Sequence, residues 1–389
     1  MRILQVHTRY RYEGGEDAVA RAEATLLAEA GHEVVPFIAE NPSRPGPTAA
    51  AMLTSAWNPL AARTLRAVAT RVRPDVAHVH NTWFALSPSV VRELDLAGIP
   101  VVVTLHNYRL LCVNASLFRD GRPCLDCVGH SPLPGVVHRC YRDSAVASAA
   151  VAGCISANRA LGTWTRHAGL FLALNDYARD RFIEGGLPAD RIRVKPNVVP
   201  DPGQRVAPPS ASGTVLFVGR LDPLKGLGML LDAWAAASPP GLELVIVGDG
   251  PQRAELEARN VPGVTLAGRR TPAEVRAMML EARTLVFPTL LLEGPSLVVR
   301  EAFAAGLPVL ASGLGGIPEL VGQLGPRWLV PASTPAAWAA ALAGLPGGDE
   351  LDEAGRGARA LWAERLTPEA GLRALEEAYT TVLPAGADR

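Results

Sequence analysis

The chain lacks a charge imbalance, a long apolar run and any internal repeat, and each absence removes a class of function. Lys plus Arg and Asp plus Glu both number 38, so the formal charge is zero and nothing points to nucleic acid. No stretch approaches the roughly eighteen apolar residues that a membrane-spanning helix needs. The opening Met1–Val6 reads as a first strand. Its apolar core is too short for a signal peptide, and Arg9, Arg11 and Glu13 follow it. A cytoplasmic location is expected, with the inner membrane face as a candidate docking surface. No strand runs into Gly-x-Gly-x-x-Gly, since Gly248-Asp-Gly250-Pro lacks the third glycine, and this weakens a dinucleotide-dependent oxidoreductase.

What is present is 389 residues of ordinary globular composition, 48% hydrophobic and 20% charged, enough for two cores. Short apolar runs alternate with helical ones in both halves, which predicts βαβ units, parallel sheets and an α/β fold of two Rossmann-like domains. Strands are expected at 2–7, 33–38, 76–80, 101–106 and 170–174, then at 215–218, 242–247, 264–267, 284–288, 308–311 and 328–330. Helices fit 17–30 and 59–72, then 227–237, 252–259, 273–282, 296–305 and 335–345. The Pro- and Gly-rich stretch near 197–213 reads as a linker between domains 1–196 and 214–366.

Glu293 and Glu301 stand eight positions apart, the first in a strand-to-helix loop and the second inside the helix. Eight helical residues advance about 800° and about 12 Å, which would place both acids on one side. A helix start suits a phosphate, so Ser296 and Leu297 could hold a diphosphate between two hydroxyl-bearing groups. A plainer account has Glu293 capping the helix and Glu301 in solvent. Upstream, Gly219-Arg220-Leu-Asp-Pro-Leu-Lys225-Gly226 follows the strand 215–218. It puts two cations at the carboxyl edge of a sheet, where open α/β folds bind ligands. An ordinary surface turn explains the same loop taken alone.

Other constellations lie in the first half. Gly14 and Gly15 precede a helix, either for close approach to a ligand or as the turn a βα connection needs, with Asp17 as a candidate N-cap. His106 ends a strand and should face the ligand edge, suited to positioning a hydroxyl; His78 and His80 alternate along their own strand. Cys112, Cys124, Cys127 and Cys140 follow the pattern Cys-x11-Cys-x2-Cys-x12-Cys, a candidate structural zinc site, or else four reduced thiols. Cys154 reads as a packed core thiol. Arg63, Arg66, Arg71 and Arg73 ride on helix 59–72 beside Leu65, Val68 and Val72. They make either a basic membrane-facing surface or an ordinary outer helix.

The run from Phe287-Pro-Thr through Glu293-Gly294-Pro295-Ser296-Leu297 to Glu301-Ala-Phe-Ala-Ala-Gly resembles the donor-site signature of glycosyltransferase family 4. Gly219-Arg220, Lys225-Gly226 and Val247-Gly248-Asp-Gly-Pro251 match that family's other donor motifs, and the likeness covers nearly the whole chain. Pro295-Ser296 stands where Phe-Gly is often found, and Asn107 where His106 is often followed by Asp. The resemblance implies a GT-B fold, two Rossmann-like domains facing across a cleft, with a last helix near 367–385 returning to the first domain. It implies a retaining transferase that moves a sugar from a nucleoside-diphosphate sugar to a hydroxyl acceptor without a catalytic metal. Arg220 and Lys225 would meet the diphosphate, Glu293 the sugar hydroxyls and Glu301 the ribose, with Gly14 and Gly15 bordering the phosphates and His106 near the sugar. A nucleotide-sugar 2-epimerase of the same fold is the alternative.

Overall fold

The computed structural model describes residues 1–10, 14–42, 51–52, 54–294 and 296–384. Two compact units emerge: Met1–Arg119, Cys124–Pro196 and Gly371–Arg389 form one, and Asp120–Pro123 with Asn197–Ala370 the other.

The first unit is built on six parallel strands: β1 (Arg2–Arg9), β2 (Glu33–Glu40), β3 (Val76–Asn81), β4 (Val101–Leu105), β5 (Leu170–Ala173) and β6 (Ile192–Val194), in the order β2-β1-β3-β4-β5-β6. β3, β4 and β5 are buried along their whole length, as sequences covered on both faces must be. The helix Pro368–Val382 supplies Leu375, Ala378 and Tyr379 to a core containing Ile3, Leu27, Val76, Val102 and Leu170.

In the second unit the strands are β7 (Thr214–Val218), β8 (Glu243–Val247), β9 (Val264–Gly268), β10 (Thr284–Phe287), β11 (Val309–Ser312) and β12 (Leu329–Val330). Their order, β9-β8-β7-β10-β11-β12, is doubly wound, and the order reverses between β7 and β10. A ligand crevice is expected outside the carboxyl ends of those two strands.

Several expectations shift. β4 stops at Leu105, so His106 lies just beyond the strand. Helices Ser89–Leu96, Ala145–Ala160, Asp176–Glu184 and Gly348–Arg365 and strand β6 were not legible. Ala145–Ala160 is mostly small residues without a marked apolar stripe, and the last of these helices mixes three glycines with acids. The segment 197–213 is no free tether, because it packs into the second unit. Val199 is 3% exposed and exchanges hydrogen bonds with Leu366 and Trp362. The Arg205 guanidinium satisfies the carbonyls of Met279 and Ala282 at the end of helix Pro272–Glu281.

Candidate active site

In the second unit, three loops meet at the carboxyl ends of β7, β8 and β10. Gly219 N–H bonds Val247 O, Leu221 N–H bonds Asp249 O, and Leu290 N–H bonds Leu224 O, at 2.9–3.0 Å. Their packing leaves no room for side chains at two glycines. Gly248 has φ +145°, and a Cβ there would lie 1.8 Å from Gly219 O; at Gly226, with φ +72°, it would lie 2.1 Å from Pro288 O. Glycine here is a condition of loop closure.

That closure brings Lys225 to Glu293. Nζ lies 2.8 Å from Oε1, and Thr289 Oγ1 donates to the same oxygen at 2.8 Å. Both charged side chains remain about one quarter exposed, and the ammonium sits 5.5 Å from the centre of the Phe287 ring. Glu293 Oε2 has no partner among the described residues. Arg220 is 67% exposed, its guanidinium in solvent with Asp222 3.6 Å away. Gly294 is half-buried in the loop, and Pro295 lies outside the described residues.

The helix that follows runs Leu297–Ala304 with Ser296 as its N-cap, so Glu293 is in the loop and the eight-residue helical advance does not apply to it. Glu293 does not cap this helix; it is engaged with Lys225 and Thr289. Ser296 Oγ is buried with no hydrogen-bond partner, an unspent donor at the positive end of the helix. One turn on, Glu301 is half-buried. Burial pushes its pKa up, against a smaller opposing pull from Arg276. Neither acid is the solvated residue of the plainer account.

The first unit holds a different polar cluster. Gly14, not Asp17, is the N-cap of helix Gly15–Glu29. Asp17 stands three residues in, where its carboxylate accepts the Gly14 N–H at 2.8 Å and meets His7 Nε2 at 2.8 Å. Burial lowers the His7 pKa despite that partner. Asn107 donates to Glu16 at 2.5 Å, which gives its amide a reason. A carboxylate at 107 would face the Glu16 carboxylate, whose pKa burial already raises. His106 Nε2 lies 3.0 Å from His80 Nδ1, and both rings line one cavity with Asn107, Arg109 and Asn158. Burial lowers the His106 pKa to about 4 and the His80 pKa well below 6.5, so both are neutral at pH 7.

Beneath them, Lys195 pairs with Glu23, and burial is opposed by Lys195 and His80 so that the Glu23 pKa falls. Glu23, His78 and His80 are the one group of at least three His, Cys, Asp or Glu among the described residues whose ligand atoms lie within 4.8 Å of one another. Each is already engaged. His78 bonds Tyr379 OH at 2.8 Å and Thr104 Oγ1 at 2.7 Å, and the Lys195 ammonium occupies Glu23, so a cation would have to displace these partners. Sequence reading missed Lys195, although one signal pointed to it. Lysine occurs twice in this arginine-rich chain, at Lys195 and Lys225, and each is paired with a glutamate.

The four cysteines are gathered around one turn. Cys127 is bonded by the Gly135 backbone, Cys140 N–H bonds Gly135 O, and Gly135 packs against Val113, next to Cys112. Burial pushes the Cys127 thiol up to about 11, with Cys112, Cys124 and Cys140 adding to it. No three of these sulfurs lie within 4.8 Å of one another. Cys154 is buried and donates to Ser55 O, a core thiol. On helix Pro59–Val72, Ala62, Leu65 and Ala69 are buried in the unit, while Leu60 and the arginines are exposed. No described helix is long and apolar enough to cross a membrane.

Residues 14–198 match the family model described as glycosyl transferase 4-like domain, and residues 212–346 match glycosyl transferases group 1. The chain belongs to the family 4 glycosyltransferases of GT-B fold. It is similar to 2-deoxystreptamine glucosyltransferase of Streptomyces kanamyceticus, 31% identical over 294 residues, covering 71% of this chain and 69% of that one. It is also similar to D-inositol 3-phosphate glycosyltransferase of Corynebacterium glutamicum, 36% identical over 36% of this chain and 37% of the relative. Among solved structures, Anabaena HepE in complex with UDP-glucose superposes with a TM-score of 0.65, at 19% identity over 98% and 100% of the two chains. Sucrose-phosphate synthase of Thermosynechococcus elongatus gives 0.70, at 19% identity over 97% and 98%. The protein is therefore a glycosyltransferase built from two Rossmann-like domains.

Proposed function

We propose that this glycosyltransferase takes its sugar from a nucleoside-diphosphate sugar and passes it to a hydroxyl acceptor with retention of configuration, without a catalytic metal. The observation that carries this reading is the Lys225–Glu293 pair in the loops that follow β7 and β10, together with the unpartnered Ser296 hydroxyl at the N-cap of helix Leu297–Ala304. In this reading the cation and the helix start both serve the diphosphate. Structural neighbours that bind UDP and UDP-glucose support the donor class. In this reading Arg220 and Lys225 stabilise charge growing on the departing diphosphate. Glu293 turns its free oxygen to the sugar hydroxyls, Glu301 holds the ribose, and a diphosphate oxygen takes the acceptor proton. The loop glycines Gly219, Gly248 and Gly294 let backbone approach the donor, and Gly14, Gly15 and His106 serve from the first unit.

A thermal-shift screen against UDP-, GDP- and ADP-sugars tests the donor, since a ligand of the folded state stabilises it by mass action. Product anomers read by NMR test retention. No stabilisation by any nucleotide sugar would overturn the donor assignment.

The cysteine loop takes no part in this chemistry. Its proposed role is a zinc clip, supported by the ligand spacing and the convergence on Gly135; the metal would have to draw the sulfurs to about 3.8 Å apart. Elemental analysis of the purified protein tests it, with metal-free protein and four titratable thiols as the opposing result.

A further inference from the structure

Four of the eight histidines cluster in the first unit, the rings of His7, His78 and His106 standing 4.1–6.1 Å from that of His80, and the hydrogen bonds of one of them can be followed proton by proton. The starting point is Gln5, 4% exposed, whose Nε2 lies 2.7 Å from Ala20 O. Ala20 O can only accept, so this contact fixes the amide with its nitrogen in place. The second amide hydrogen faces His80 Nε2 at 3.3 Å. Glu23 Oε2, the other group near that nitrogen, is 3.8 Å away, beyond hydrogen-bond reach. His80 Nε2 therefore accepts, and a neutral imidazole then carries its proton on Nδ1. That proton points at His106 Nε2, 3.0 Å away, which must accept in turn. The His106 proton is left on Nδ1, which has no partner among the described residues, on a ring only partly buried at the cavity.

We propose that the buried chain Ala20–Gln5–His80 locks His106 as the Nδ1–H tautomer, so that it presents a hydrogen-bond donor to an oxygen of the bound sugar. Free histidine prefers the other tautomer, so the surrounding bonds must impose this one. His80 and Gln5 are positioning residues in this scheme; His106 alone touches the ligand. The second half of the proposal rests on the sugar-transfer reading, and the first half does not.

The test is ¹⁵N NMR of the full-length protein with labelled histidine at pH 7.5, with His106 and His80 assigned from His106→Asn and His80→Asn. Both rings are expected to show a pyrrole-type Nδ1 and a pyridine-type Nε2. Gln5→Glu replaces the donating amide by a carboxylate that accepts, so both tautomers should flip to Nε2–H. His106 would then offer a lone pair in place of a donor, and kcat should fall about tenfold, the effect of one neutral hydrogen bond. If Gln5→Glu does not fold, His80→Leu, which removes the lock, should let His106 shift toward Nε2–H with a similar loss. A wild-type His106 protonated on Nε2 overturns the relay, whatever the protein transfers. The Nδ1–H tautomer with a flipped variant of unchanged kcat overturns the role of that donor in catalysis. Failure of every nucleotide sugar in the thermal-shift screen would sink the transfer reading while the NMR spectrum still decides the relay.

Discussion

Replacing Lys225 by methionine separates what this side chain does for the fold from what it does for the reaction. Methionine keeps most of the apolar stem and deletes the ammonium, which lies 5.5 Å from the centre of the Phe287 ring and meets Glu293 at 2.8 Å. Both partners are about one quarter exposed, so water screens the pair, and the abandoned Glu293 keeps Thr289 as a donor. The stability loss should be about 0.5 kcal/mol, which lowers Tm by about 1–2 °C in a unit of this size. The reaction should suffer far more. A cation aimed at charge that grows in the transition state contributes about 3–4 kcal/mol, or 10²- to 10³-fold in kcat. Lys225→Arg should restore the melting temperature without restoring turnover. A guanidinium fork is larger than a point charge, and the loop is closed at Gly226 against Pro288. Calorimetric melting and the rate of nucleoside diphosphate release, measured on the same preparations, give both quantities. A Lys225→Met enzyme within threefold of wild-type kcat, or one melting more than about 5 °C lower, refutes the reasoning.

Three further outcomes are expected. Glu301→Gln should weaken binding of free nucleoside diphosphate more than Glu293→Gln does, as read by titration calorimetry, because Glu301 is assigned to the ribose and Glu293 to the sugar. Gly248→Ala should cost more than about 4 kcal/mol or prevent folding of the second unit, since its Cβ would lie 1.8 Å from Gly219 O; chemical denaturation measures this. His78, His80 and His106 all have folded pKa values below the ordinary 6.5, that of His106 falling to about 4. The unfolded chain therefore binds more protons below pH 6.5. The stability these groups supply is complete above that pH and drains by roughly 1.4 kcal/mol per pH unit for His106 as pH falls toward 4, with His78 and His80 acting in the same direction. Denaturant midpoints that stay flat from pH 7 to pH 4.5 would contradict the buried network.

The sequence by itself determined the two α/β halves, because alternating apolar runs and helical stretches have one stable solution as parallel sheets. It also determined the loop that carries Gly219 and Lys225 and the one that carries Glu293, since glycines and charged residues at strand ends leave a local signature. Ala145–Ala160 and the three-residue strand β6 escaped, one for want of an apolar stripe and the other for want of length. Only the tertiary structure decided who meets whom. Thr289 bracing Glu293, Asn107 bonding Glu16, and Lys195 buried against Glu23 join residues from 4 to 172 positions apart. The protonation of His106 hangs on Gln5, about a hundred residues away. Hydrogen bonds between distant strands obey distance and direction in space, and no spacing along the chain encodes them.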